Sequence, residues 1–139
     1  MGTQPVNGVG FAAAEAYCRW RGVRLPSDTE WNLAARFDPL MGHSHLYPWG
    51  DVFDASLANT AGGDGFAGLA PVGSFPGGVS PVGAHDMAGN VAEWTAAGGL
   101  RGGSWASGGE GARSDLAGGT YSAAEIGLRC AVSAGAVQQ

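Results

Sequence analysis

The stretch Asp86-Met-Ala-Gly-Asn-Val-Ala-Glu-Trp94, followed after a short spacer by Arg101-Gly-Gly-Ser-Trp105, decides how this chain is read. Gly89-Asn90 is a strong turn dipeptide, and it lies between two carboxylates, Asp86 and Glu93. Folding the segment back at that turn brings both carboxylates toward one centre. With backbone carbonyls added, the shell would be all oxygen and would suit a hard cation of calcium type better than zinc, since the segment has no Cys or His. A second reading stays open, in which Asp86 caps the turn and Glu93 pairs with one of the seven arginines.

Outside that stretch, composition narrows the function. A chain of 139 residues makes one domain, 1–139. With 26 Gly and 7 Pro it is rich in turns, while 45% hydrophobic residues and five Trp argue against disorder. All seven basic residues are Arg, so lysine Schiff-base chemistry is excluded. A net charge of −5 leaves no basic stripe to displace counterions from phosphate, so no nucleic-acid partner is expected. No apolar run reaches bilayer length and Met1–Pro5 has no signal-peptide pattern, so the expectation is a soluble, cytoplasmic protein with no membrane partner.

Two helices are legible. Phe11, Ala14, Tyr17 and Cys18 form one apolar stripe over about 11–21, stopped by Gly22. Ser27 and Glu30 form a capping box, with Trp31, Ala34 and Ala35 facing inward and Asp38-Pro39 closing the helix. His43-Ser44-His45 then falls in a loop. An H-x-H pair binds a transition metal when it lies on a strand with a third ligand nearby; none is evident, so the pair reads as exposed loop histidine, and His85 as a neighbour of the Asp86 turn. Ser104 or Ser107 as a nucleophile would need a His base and an orienting acid, which the pattern does not supply. Asn59-Thr-Ala-Gly-Gly-Asp64-Gly-Phe66 sets two oxygen donors across a Gly turn, and an ordinary Asx-turn loop explains it as well. Cys18 and Cys130 would close a very long loop if bridged, and would be buried thiols in a reducing compartment.

Taken in order, Tyr17-Cys-Arg-Trp20, Arg24-Leu-Pro-Ser-Asp-Thr-Glu-Trp31, Tyr47-Pro-Trp-Gly-Asp51, Pro71-Val-Gly-Ser-Phe-Pro76, Asp86–Trp94, Arg101–Trp105 and Gly127-Leu-Arg-Cys130 resemble the formylglycine-generating enzyme (sulfatase-modifying factor) family over about residues 5–132. The resemblance implies an α+β, C-type-lectin-like fold of the formylglycine-generating-enzyme type, loop-rich, with two helices packed on short antiparallel strands. It implies that Cys18 and Cys130 lie near each other, and that a longer N-terminal portion usual in the family is missing here. It maps one structural calcium site onto Asp86, Gly89, Val91 and Glu93. A second maps onto Asn59, Thr60, Asp64 and Phe66 across a shortened spacer, and the first is favoured. The family's oxidase holds copper with two cysteines; the matching positions here are Ser107 and Ala112, so no copper is expected. The iron-dependent branch takes its metal from a His triad that three scattered His do not reproduce.

The resemblance also extends to non-enzymatic members, among them variable proteins of diversity-generating retroelements, whose changeable positions lie between motifs matching Arg101–Ser104 and Gly127–Cys130. Residues 105–126 present Trp105, Ser107, Glu110, Arg113, Ser114, Asp115, Thr120 and Tyr121 among Gly and Ala, a mixture of aromatic anchors and adaptable hydrogen-bonding groups. The expectation is a non-catalytic display domain whose 105–126 face binds another protein. The oxidase is the competing reading, and a structural role within a larger fusion is a third.

Overall fold

A computed structural model describes residues 4–61 and 66–133. Helix α1 spans Phe11–Trp20 and buries Ala14 and Cys18. Tyr17, expected on the same inward stripe, is exposed. Gly22 stops the helix by taking φ +79, a value open to Gly at little cost. That lets the Val23 N–H reach the Cys18 carbonyl (2.9 Å) and the Gly22 N–H reach Arg19 (2.9 Å), which satisfies the last carbonyls of the helix.

Helix α2, Asp28–Arg36, starts on the capping box read from the sequence. The Glu30 N–H donates to Ser27 Oγ at 3.1 Å and the Ser27 N–H donates to Glu30 Oε1 at 2.8 Å. Trp31 and Ala35 are buried on its inner face. The helix ends before Asp38-Pro39, because the residue preceding a proline is pushed out of the α region. Phe37–Asp38 is instead a short strand, β1, paired antiparallel with β2, His43–Ser44. The segment expected to be a plain histidine loop is therefore a hairpin, turned by Asp38 Oδ1 accepting from the Leu40 and Met41 amides.

Strands β3 (Ala92–Trp94), β4 (Leu100–Arg101) and β5 (Ile126–Gly127) form a sheet in the order β4-β3-β5. Strands β3 and β4 are antiparallel, but β3 and β5 run parallel, so the sheet is mixed rather than antiparallel throughout. A disulfide joins Cys18 of α1 to Cys130 just beyond β5, across 112 residues of sequence. Constraining a loop of that length in the unfolded chain stabilises the fold by roughly 4–5 kcal/mol in the chain-entropy model. Phe11 packs edge-on against Trp94 at 5.7 Å, and the Trp94 indole N–H donates to the Val9 carbonyl, so α1 and the sheet share one apolar cluster. Among the described residues no helix is long and apolar enough to cross a membrane.

The start of α2 carries a pH signature. The Arg24 guanidinium grips Glu30 bidentately at 2.6 and 2.7 Å, and with the Ser27 backbone hydrogen bond holds the carboxyl down to about 2. Because the folded value lies below the unfolded one, this contribution is complete above the ordinary Glu value of about 4.3 and fades as pH falls toward 2. An NMR titration should find Glu30 titrating near 2 in the wild type and higher in Arg24→Ala, though still below the ordinary value because the Ser27 hydrogen bond remains.

Candidate functional site

The Asp86–Trp94 turn is built from left-handed backbone. Asp86 has φ 56, Gly89 φ 74 and Asn90 φ 66. At Gly89 the reason is contact as well as conformation, because a Cβ there would stand 2.2 Å from the Asn59 carbonyl oxygen. Asn90 tolerates its φ because its side chain ties three segments together. Its Oδ1 accepts from the Ala70 N–H and from Asn59 Nδ2, both at 3.0 Å, and its Nδ2 donates to the Ala70 carbonyl at 3.1 Å.

Beyond the turn, Glu93 points into the interior, where its carboxylate is fully engaged. Oε1 accepts from the Trp31 indole (2.9 Å) and from Arg129 Nε (2.7 Å), and Oε2 accepts from Arg129 Nη2 (2.9 Å). The same Nη2 donates to the His85 and Asp86 carbonyls at 2.8 and 3.1 Å. Burial works against the charged guanidinium, but the charge and hydrogen bonds of Glu93, helped by Asp86, outweigh it and raise the Arg129 pKa. A cation thus stands against Glu93, and it is an arginine. Asp86 Oδ2 is turned to the Gly73 N–H at 2.8 Å. Of the set expected to hold calcium, Glu93 through its carboxylate and Asp86 through its carbonyl contact this guanidinium. Arg129, Asn90 and Trp31 are the members of this centre that the sequence did not assign to it.

Asn59 differs. It is buried, and its Oδ1 has no hydrogen-bond partner among the described residues, while its Nδ2 donates to Gly68 and Asn90. An orphaned buried carbonyl oxygen is the kind of group a hard cation satisfies. Thr60 beside it is buried and Phe66 is exposed; Asp64 lies outside the described residues.

At the positions matching the oxidase cysteines, Ser107 Oγ accepts from the Ser104 N–H at 3.0 Å, and Ala112 is buried against Ala58 and Ala88. Both cysteines of the chain are in the disulfide. Neighbouring Ser104 is buried and donates its hydroxyl to Glu125 Oε1 at 2.6 Å. Glu125 is held below the usual carboxylate range first by that bond and then by the Ser122 backbone and hydroxyl. The serine is tied to a carboxylate, with no histidine in the arrangement.

The 105–126 segment rests on an aromatic platform. Tyr47 and Trp49 stack at 5.3 Å with rings 6° apart, and Phe53 packs on both. Tyr47 donates its hydroxyl to the Gly109 carbonyl at 2.9 Å, and a Cβ on Gly109 would press into the Phe53 ring at 2.8 Å. Glu110 points to solvent with its side chain 87% exposed, and Thr120 is exposed. Arg113 pairs bidentately with Asp115 at 2.9 and 2.6 Å, which lowers the Asp115 pKa. Trp105 and Tyr121 are half-buried, and burial raises the Tyr121 hydroxyl pKa. Ser114 does not belong on this face. It is fully buried, its N–H donating to the Leu46 carbonyl and its own carbonyl accepting from Asn32, so it anchors the segment to the frame.

With this geometry in place, the comparisons are decisive at the family level. Residues 1–134 match the model of the sulfatase-modifying factor enzyme 1-like domain. The chain belongs to this family. It is 45% identical to hercynine oxygenase of Mycolicibacterium thermoresistibile across 66% of this chain and 20% of that protein. It is 41% identical to mouse (Mus musculus) inactive C-alpha-formylglycine-generating enzyme 2 across 94% of this chain and 50% of that protein. The domain thus spans half or less of these relatives. Its fold is also that of Treponema denticola variable protein 1, with TM-score 0.71 and 21% identity over 91% of this chain and 70% of the other. The C-type-lectin-like architecture of the formylglycine-generating type is thereby established for the domain.

Gly89 cannot take a side chain without cost. Gly89→Ala adds a Cβ against Asn59 backbone and strains a left-handed residue, so chemical denaturation should show a loss of about 3 kcal/mol or more.

Proposed function

We propose that this domain is a non-catalytic binding module that presents its 105–126 face to a protein ligand, as the variable protein of a diversity-generating retroelement does. One observation carries the reading. Where the oxidase needs two thiolates to grip Cu(I), this chain has Ser107 and buried Ala112, and its two cysteines are spent on a disulfide far along the fold. The aromatic platform under Gly109 supports recognition, since a preorganised loop loses less freedom on binding. The similarity to an inactive member of the family and the fold shared with a variable protein point the same way. Trp105, Ser107, Glu110, Arg113, Asp115, Thr120 and Tyr121 are the proposed contact set, with Ser114 removed. Neither nucleic acid nor membrane is a proposed partner.

The competing enzyme reading draws on the identity to hercynine oxygenase, of which this chain matches a fifth. Calcium enters the proposal as a structural ion held by the Asn59 set, where Asn59 Oδ1 supplies the unpaired oxygen and the Thr60 and Phe66 carbonyls, with Asp64, complete the set.

Metal titration tests both parts on one sample. Purified protein should take up no cuprous ion in competition with a Cu(I) chelator and should leave a thiol-bearing peptide unoxidised, while calcium raises its melting temperature and a chelator reverses the rise. Tight cuprous binding with peptide oxidation would overturn the binding-module reading; a melting temperature indifferent to calcium would remove the ion. Comparing the gene with an adjacent near-identical repeat, mismatched mainly at adenines, tests the retroelement assignment.

A further inference from the structure

The hairpin of β1 and β2 gathers four metal-ligating side chains that neither the display face nor the Glu93 centre uses. Asp38 and His43 are direct cross-strand partners, and His45 follows His43 at the spacing that returns to the same side of an extended chain. Contacts confirm the shared face. The His43 and His45 rings meet edge-on at 4.8 Å, and His45 Nε2 stands 3.6 Å from Asp38 Oδ2. Asp38 is prepared for this role, because its Oδ1 is held by the Leu40 and Met41 amides (2.9 and 3.2 Å) while Oδ2 faces the imidazole. On the other side of the ring, His45 Nδ1 is buried without a hydrogen-bond partner among the described residues, and Asp51 Oδ1 stands 3.8 Å from it.

We propose that Asp38, His43 and His45 form a binding site for a divalent ion of zinc type, with Asp51 orienting His45 from behind. Imidazole with carboxylate is a donor set suited to zinc, and ligand atoms on a tetrahedral zinc stand roughly 3.3 Å apart for bonds of about 2.0 Å. The Asp38 to His45 separation of 3.6 Å is already close to that edge. Asp51 Oδ1, which accepts from the Leu46 N–H at 3.0 Å and stands 3.8 Å from His45 Nδ1, would have to close on that nitrogen to act as the outer carboxylate that ligating histidines usually carry. Among the described residues no three such side chains yet converge on one point; the His43 ring faces the Met41 carbonyl at 3.4 Å instead. His43 is exposed, so its rotation toward Asp38 and His45 is the movement that completes the site, and the fourth position stays open to solvent. The ion would tie together the hairpin whose far end, the Leu46 carbonyl, holds Ser114 at the root of the display segment.

Calorimetric titration of tag-free protein with zinc, run beside cobalt(II) absorption, tests the site. One ion per chain is expected, with affinity reduced at least about tenfold by His43→Ala and by Asp38→Asn and left unchanged by His85→Ala. His43 is exposed, so its variant should fold even if a substitution at the half-buried His45 does not, and circular dichroism checks this. Absence of zinc binding at millimolar concentration, or binding that His43→Ala leaves within about threefold of the wild type, overturns the proposal.

Discussion

The contact on which the frame depends is the buried carboxylate of Glu93. It is held at once by the Trp31 indole of α2 and by the Arg129 guanidinium beyond β5, while its own backbone pairs with β4 and β5 as the middle strand of the sheet. A buried charge is costly unless it is paired and hydrogen-bonded, and here every acceptor direction in use is met by a donor. Arg129 carries the same constraint outward, because its Nη2 also fastens the His85 and Asp86 carbonyls at the mouth of the left-handed turn. Helix, sheet and turn are therefore registered to one another through a single ion pair, and the disulfide one residue further on fixes α1 to the same segment beyond β5.

A frame so tied also fixes where its loops lie. The 107–112 loop is laid on stacked Tyr47 and Trp49 with Phe53 beneath Gly109, and Ser114 is clamped between Leu46 and Asn32. Between those anchors Glu110 and Thr120 reach solvent and the Arg113–Asp115 pair sits half-exposed. Such an arrangement would serve the recognition proposed for it. It gives no thiolate to a redox metal and no histidine to Ser104, whose hydroxyl is already committed to Glu125.

Much of the fold was legible because local chemistry specifies it. The capping box at Ser27 and Glu30 and the Gly22 stop both require particular residues at particular offsets, and both are found where the spacing put them. The ordered motifs carried the family, which no periodicity in so irregular a chain would have shown. What stayed hidden is what depends on long-range pairing. Glu93 and Arg129 are 36 residues apart, so the sequence could offer an arginine partner for Glu93 only as one of seven. The hairpin at His43 was missed because strands of two residues are too short for an alternating pattern to register. Ser114 was read as surface because a small hydroxyl among Gly and Ala looks the same whether it faces solvent or closes a gap in the interior.

The most direct test of this account is a double-mutant cycle between Glu93→Gln and Arg129→Met, followed by denaturant unfolding with calcium present and with a chelator. Arg129→Met should cost about 3–5 kcal/mol by stranding buried Glu93, Glu93→Gln should cost less because the Arg129 side chain keeps 33% exposure, and the double should cost less than their sum by about 2 kcal/mol, equally in both solutions. Losses that add to within about 0.5 kcal/mol, or a coupling that vanishes when calcium is added, would contradict the claim that the arginine is the cation on which the frame is pinned.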